Sequence, residues 1–191
     1  TMATVRPFAA LRPPKNLAEK VSSLPYDVMS RDEAVAMARG NAQSFLHVCR
    51  ADIDTSEALI HAPETYAKSR ENLEKFIAEG TLVRDEKPCV YVYRQIFRGR
   101  VQTGVVGCAS VDEYLDGTIK KHELTRKEKE RDRIEHFDAC SAQTEPVFLA
   151  CRRSEAVAAV VREQTERRAP EYNFRTDDGV SHALGKIDDE A

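Results

Sequence analysis

Signals that start and stop helices interleave with short strand-like runs along this sequence, without a strict βαβ rhythm. That interleaving restricts the fold to a mixed β-sheet with helices packed on it, an α/β (α+β) class. Ser30 and Glu33 have capping-box spacing and Gly40 stands where a left-handed residue closes a helix, so a helix is predicted over Arg31–Arg39. Pro63 at a first helical position and Gly80 past the end bracket a longer helix with Tyr66, Leu73, Phe76 and Ile77 as its apolar stripe. Ser154 caps a third helix running to Arg168, with Val157, Val160 and Val161 on one face.

Between these helices the strand signals are short. Val5–Leu11 reads as a strand closed by Pro13 and Pro14, and Leu24–Val28 as an extended piece held out of helix by Pro25. Ser44–Cys49 and Pro146–Cys151 are compact apolar runs of buried-strand type. Cys89–Phe97 and Val101–Val111 flank a tight turn at Arg98–Arg100, a β-hairpin in which Gly104 and Gly107 suggest a bulge or a close backbone approach. Thr176–Gly179 joins Tyr172–Phe174 to Val180–Ile187 as a second hairpin.

At 191 residues, with 41% hydrophobic and 32% charged content, the chain fits one ordinary domain with a real core. It contains no run of about 18 apolar residues and no secretory leader pattern, which places it in the cytoplasm and away from membranes. Thr1 before Met2 reads as a residue left by cloning. A net charge of −3 and the lack of a helix-turn-helix pattern argue against direct nucleic-acid binding. The five cysteines are scattered, with no C-x-x-C spacing. Cys89, Cys108 and Cys151 sit in apolar runs and are expected to be buried structural thiols.

The segment Gly117–His136 is different. It carries seven Lys or Arg, five Asp or Glu and two His against three apolar side chains, Ile119, Leu124 and Ile134. Thr125 and Glu128 form another capping-box pattern, so a helix is predicted from Arg126 with His122 and Glu123 in the turn before it. Helical spacing puts Lys129, Asp132, Arg133 and His136 on one face. Such a face is either a solvated, salt-bridged surface or the wall of a polar cleft. In the cleft Lys129 and Arg133 meet an anionic ligand, and a carboxylate acts as base or metal ligand. The HExxH zinc motif is absent, since Leu124, Thr125 and Arg126 follow His122 and Glu123. A metal-dependent hydrolase built from His122, Glu123, Asp132 and His136 is a further alternative. His47, His61 and His182 read as structural or solvated.

Residues 117–133, G-T-I-K-K-H-E-L-T-R-K-E-K-E-R-D-R, resemble the signature of the bacterial domain-of-unknown-function family numbered 1015. So do Arg6-Pro7-Phe8, Pro25-Tyr26-Asp27-Val28, Gly40-Asn41 with Ser44-Phe45-Leu46, and Pro146-Val147-Phe148-Leu149, in the expected order over nearly the whole chain. The resemblance implies a ParB/sulfiredoxin-like fold, here with a β-hairpin-rich insertion, among whose relatives are nucleotide binders and a free-serine kinase that uses ADP. It also implies a Gly-His-His-Arg-type phosphate motif, which this sequence lacks. The chain is therefore expected to be a single α/β domain, residues 1–191, forming an incomplete N-terminal portion of a longer member.

On that resemblance the expected activity is phosphotransfer from ADP or ATP with Mg²⁺ to a small hydroxyl substrate such as free serine. Glu123, Asp27 and His122 are the catalytic candidates, Lys129, Arg133, Thr125 and Asn41 the nucleotide- or phosphate-binding ones, and Asp132 the metal ligand. Asp27 and Asn41 have plainer readings as turn residues. The alternative function is a nucleotide-responsive regulatory or protein-binding module without turnover.

Overall fold

A computed structural model describes residues 3–188, so the reading of Thr1 lies outside the described residues. In chain order the elements are β1 (Val5–Arg6), β2 (Leu11–Arg12), α1 (Ala18–Val21), α2 (Arg31–Ala38), α3 (Leu46–Cys49), α4 (Pro63–Ala78), β3 (Val83–Arg84), β4 (Val90–Phe97), β5 (Arg100–Val106), β6 (Cys108–Ala109), α5 (Val111–Leu115), α6 (Lys127–Cys140), α7 (Glu155–Arg167), β7 (Tyr172–Arg175) and β8 (Ser181–Ile187). The protein is mixed α/β with small antiparallel sheets. Among the described residues no helix is long and apolar enough to cross a membrane.

The chain forms two compact units, each assembled from separate stretches. The first takes the residues up to Lys15, Arg84–Glu123 and those from Ala150 onward. Its centre is a four-stranded antiparallel sheet in the order β5-β4-β8-β7, with α7 against β4 and β8. Both hairpin readings hold. Arg98 and Gly99 turn β4 into β5 with φ of 50° and 76°, the left-handed pair that suits the twist of a two-residue hairpin. Gly179, at φ 85°, closes the turn before β8. A polar network ties the chain start to this sheet. Arg12 clamps Asp85 through Nε and Nη2 at 2.7 and 2.8 Å and donates to the Tyr172 hydroxyl at 2.9 Å, while Tyr91 donates to Asp85 at 2.6 Å.

The second unit, Asn16–Val83 with Leu124–Leu149, is helical. Ser30 and Glu33 make both bonds of the capping box that starts α2, and Gly40 takes φ 76° after it. Pro63 opens α4 and Gly80, at φ 72°, closes it. The α4 stripe buries Tyr66, Leu73 and Phe76 but leaves Ile77 exposed. A core cluster of Ala34, Ala38, Leu46 and Cys49 is flanked by Tyr26, Met29, Phe45 and Ile53, and α4 also packs on α6.

Several sequence expectations are corrected. Ser44–Cys49 is not a strand; Leu46–Cys49 is one helical turn, with Leu46, Val48 and Cys49 all buried, so its apolar run carries no period that separates helix from strand. Pro146–Cys151 forms no regular element. Val147 and Phe148 are about three-quarters exposed, and among the described residues no strand offers them a ladder. Tyr26 and Asp27 sit in a turn closed by Val28 N–H donating to the Pro25 carbonyl at 3.3 Å. The N-cap of α6 is Arg126 without a side-chain cap, so the Thr125–Glu128 box does not form. On α7 the buried residue is Gln164, and Val157 and Val160 are exposed. Of the thiols expected inside, Cys89 is buried whereas Cys108 and Cys151 are exposed; Cys49 and Cys140 are buried instead.

Gly107 supports the reading of a close approach. A Cβ there would stand 2.5 Å from Val5 Cγ1 and 3.1 Å from the Arg6 carbonyl oxygen, whereas one at Gly104 would meet nothing within 4 Å. Gly107→Ala is expected to cost on the order of 1–3 kcal/mol of stability through overpacking. Gly104→Ala should be neutral or slightly stabilising; urea denaturation of the two variants side by side checks the contrast.

Candidate functional site

Helix α6 is mostly charged, yet one face of it turns inward. Asp132 and Arg133 are mostly buried, with side chains 13% and 17% exposed, and His136 and Cys140 are buried further along. Adjacent residues 132 and 133 followed by 136 and 140 make a stripe at helical spacing, and α4 packs on α6.

Arg133 is the hub. Its Nε and Nη2 donate to Asp132 Oδ2 at 3.0 and 2.6 Å, Nη1 reaches Glu145 Oε2 at 3.5 Å, and the guanidinium carbon stands 3.9 Å from the centre of the Tyr26 ring. Asp132 is held in turn by the Tyr66 hydroxyl at 2.8 Å and by His61 Nδ1 at 3.0 Å, both on Oδ1. The Tyr26 turn is pinned from beneath by Arg50, whose Nη1 donates to the Tyr26 and Met29 carbonyls at 3.0 Å while Nε and Nη2 clamp Asp52 at 2.9 Å. A planar cation stacked on an aromatic ring and gripped by a carboxylate keeps little rotamer freedom.

Charge states follow from this packing. Burial works to raise the Asp132 carboxyl, but Arg133, Tyr66 and His61 outweigh it and hold the group below its usual value. For Arg133 the strongest influence, burial, would lower its pKa; the bond to Asp132 overcomes it, and the guanidinium is raised. Glu145 goes the other way. Burial, aided by the charge of Asp27 and opposed by Arg133, pushes its carboxyl up to about 7, and its Oε1 is buried without a hydrogen-bond partner. His136 donates to or accepts from Thr144 Oγ1 at 3.1 Å, and burial together with the Arg133 charge lowers it to about 4. Burial lifts the Cys140 thiol to about 11, which disfavours its thiolate at neutral pH.

The sequence-derived candidates divide. Arg133 and Asp132 meet, with His136 a turn further along α6, and the exposed Asp27 lies close enough to act on Glu145 and Tyr26 electrostatically. Lys129 and Thr125 are exposed. His122 and Glu123 are also exposed, in a stretch without helix or strand, and face each other at 3.7 Å. Asn41 serves the fold: its Nδ2 donates to the Lys20 carbonyl at 2.7 Å and its Oδ1 accepts from Gln43 N–H at 3.2 Å. Both oxygens of Asp132 are engaged, so a Mg²⁺ ion there would have to displace Tyr66, His61 or Arg133. Among the described residues no three His, Cys, Asp or Glu side chains group as metal ligands.

Glu145 is the residue sequence reasoning missed. The available signal was a lone carboxylate directly before Pro146 at the head of an apolar run.

The family described as "Protein of unknown function (DUF1015)" matches residues 5–191. The chain belongs to this family. No curated protein and no solved structure matches it. Within this DUF1015 chain, the stretches Pro25–Val28 and Asp132–Arg133 meet where Arg133 lies over the Tyr26 ring.

Glu145 and His136 should give opposite pH signatures. Glu145 binds its proton more tightly in the folded chain than at the ordinary 4.5, so its ionisation costs stability increasingly from about pH 4.5 to about 7. Glu145→Gln is expected to gain stability relative to the parent as pH rises through that window, by up to about 3 kcal/mol. His136 resists protonation, so its contribution is complete above 6.5 and is lost as pH falls towards about 4. His136→Gln should be less stable than the parent at pH 8, with the deficit shrinking on acidification. Urea melts from pH 4 to 8 check both slopes.

Proposed function

We propose that this chain is part of a nucleotide-dependent phosphotransferase acting on a small hydroxyl substrate such as free serine, with ADP or ATP as donor. One observation carries the reading. A carboxyl that titrates near neutrality, Glu145, stands beside an immobilised guanidinium, Arg133, in a partly buried pocket of charge. Phosphoryl transfer needs positioning and charge neutralisation more than covalent chemistry, and these two groups suit those tasks. In this reading Glu145 takes the proton from the attacking hydroxyl, its pKa being near the operating pH as an efficient base requires. Arg133 faces developing charge on the phosphoryl oxygens, and the exposed Asp27 and Lys129 stand where substrate and nucleotide phosphates approach from solvent.

Since Asp132 is taken up by Arg133, Tyr66 and His61, its role here is to position Arg133. Mg²⁺ would arrive with the nucleotide, coordinated mainly by its phosphates and water.

The second reading, a nucleotide-responsive or protein-binding module without turnover, is favoured by the exposed apolar side chains Leu124, Val147 and Phe148, which are 94%, 75% and 74% exposed.

The test is incubation with ADP or ATP, Mg²⁺ and serine, followed by ³¹P NMR for phosphoserine. The expected result is product formation whose kcat/KM rises with pH to a plateau, with a midpoint near 7. Glu145→Gln should lower kcat by roughly a hundredfold or more. Nucleotide binding without product would favour the module, and neither binding nor product would overturn the phosphotransferase and the nucleotide-responsive module alike.

A further inference from the structure

A second polar feature lies in the sheet unit and involves none of the residues of the phosphotransferase reading. On β4 the pleat puts Val92, Arg94 and Ile96 on one face. Arg94 stands in register with Ala183 of β8, and Ala183 with Asn173 of β7, so the three form a row across the sheet. Helix α7 covers this face. A Cβ at Gly185 would come 2.7 Å from Gln164 Nε2, which shows the buried Gln164 side chain lying directly on the β8 backbone. Beside that contact the small Ala183 leaves space, and a cleft of about 240 Å³ opens between sheet and helix.

The lining of the cleft is apolar with a few polar groups. Arg94 borders it, with Asn173, Gln164 and Thr165 as neutral polar groups and Val92, Ile96 and Pro170 as apolar wall, and among the described residues that line it none is acidic. Arg94 Nε is buried there without a hydrogen-bond partner. A buried N–H left unmade costs about 1–3 kcal/mol, and a guanidinium between two apolar neighbours on a central strand adds nothing to the core that a Leu or Met would not. An apolar cleft with a few convergent polar groups is the usual make-up of a small-ligand site.

We infer that this cleft binds a short-chain organic carboxylate, gripped side-on by Arg94 through Nε and a terminal nitrogen. The planar fork of a guanidinium matches a carboxylate in this way. Val92, Ile96 and Pro170 accommodate the hydrocarbon part, which inorganic phosphate lacks, and Asn173 offers an amide to a second polar group. The volume is below the range usual for drug-sized ligands, which points to a compact metabolite. The site is independent of the phosphotransferase reading.

The experiment uses the full chain with ¹⁵N-labelled arginine and follows the Arg Nε–H resonances at constant ionic strength. Acetate, butyrate, succinate, inorganic phosphate and chloride are titrated separately. Arg94 is assigned from the resonance that Arg94→Met removes. A saturable shift of the Arg94 signal with butyrate or succinate, at least about tenfold tighter than with chloride or phosphate, is expected. Ala183→Val keeps the guanidinium and fills the cleft; it should retain the parent's far-ultraviolet circular dichroism and lose the saturable shift. A linear response equal for all anions, or a carboxylate response unchanged in Ala183→Val, overturns the inference.

Discussion

The buried pairing of Arg133 with Asp132 is the interaction on which the helical unit's polar interior depends. Arg133 alone touches three separate stretches of chain: its own helix through Asp132, the turn before α2 through the Tyr26 ring, and the segment after α6 through Glu145. Asp132 extends the reach to Tyr66 of α4 and to His61. Removing one member of such a pair strands a charge away from water, at about 3–5 kcal/mol, whereas exchanging both for apolar groups can be neutral. The pair therefore specifies an arrangement more than it stabilises the unit.

That arrangement creates two environments around one guanidinium. Asp132 is surrounded by donors and stays ionised, while Glu145 shares the same guanidinium at longer range, loses water on burial, and keeps one oxygen without a partner. Two carboxylates around one cation thus take different protonation states near neutral pH, the pattern by which sites separate a permanent charge from an acid–base group. His136, on the same helix, stays neutral because burial and the Arg133 charge both oppose a second cation.

Much of this was legible in the sequence wherever local chemistry decides structure. Ser30 with Glu33, Pro63 with Gly80, and the turns at Arg98–Gly99 and Thr176–Gly179 mark their elements because capping bonds and left-handed φ values are properties of a few adjacent residues. Helical spacing also placed Asp132, Arg133 and His136 on a common face. What stayed illegible depends on distant partners. Leu46–Cys49 is helical because three of its four side chains find a core there, and 146–151 is irregular because among the described residues no strand pairs with it. Glu145 gained its character from burial beside Arg133 and from the charge of Asp27, more than a hundred positions away in sequence.

The claim on which the rest stands is that Glu145 shares its proton with solvent near neutrality while Arg133 is locked beside it. Carbon-13 NMR of the glutamate side-chain carboxyls, with Glu145 assigned by its loss in Glu145→Gln, measures this directly. The expected titration has a midpoint of about 7, shifted further upward when Arg133 is replaced by Met. A midpoint at the ordinary 4.5, unaffected by that replacement, would contradict the account.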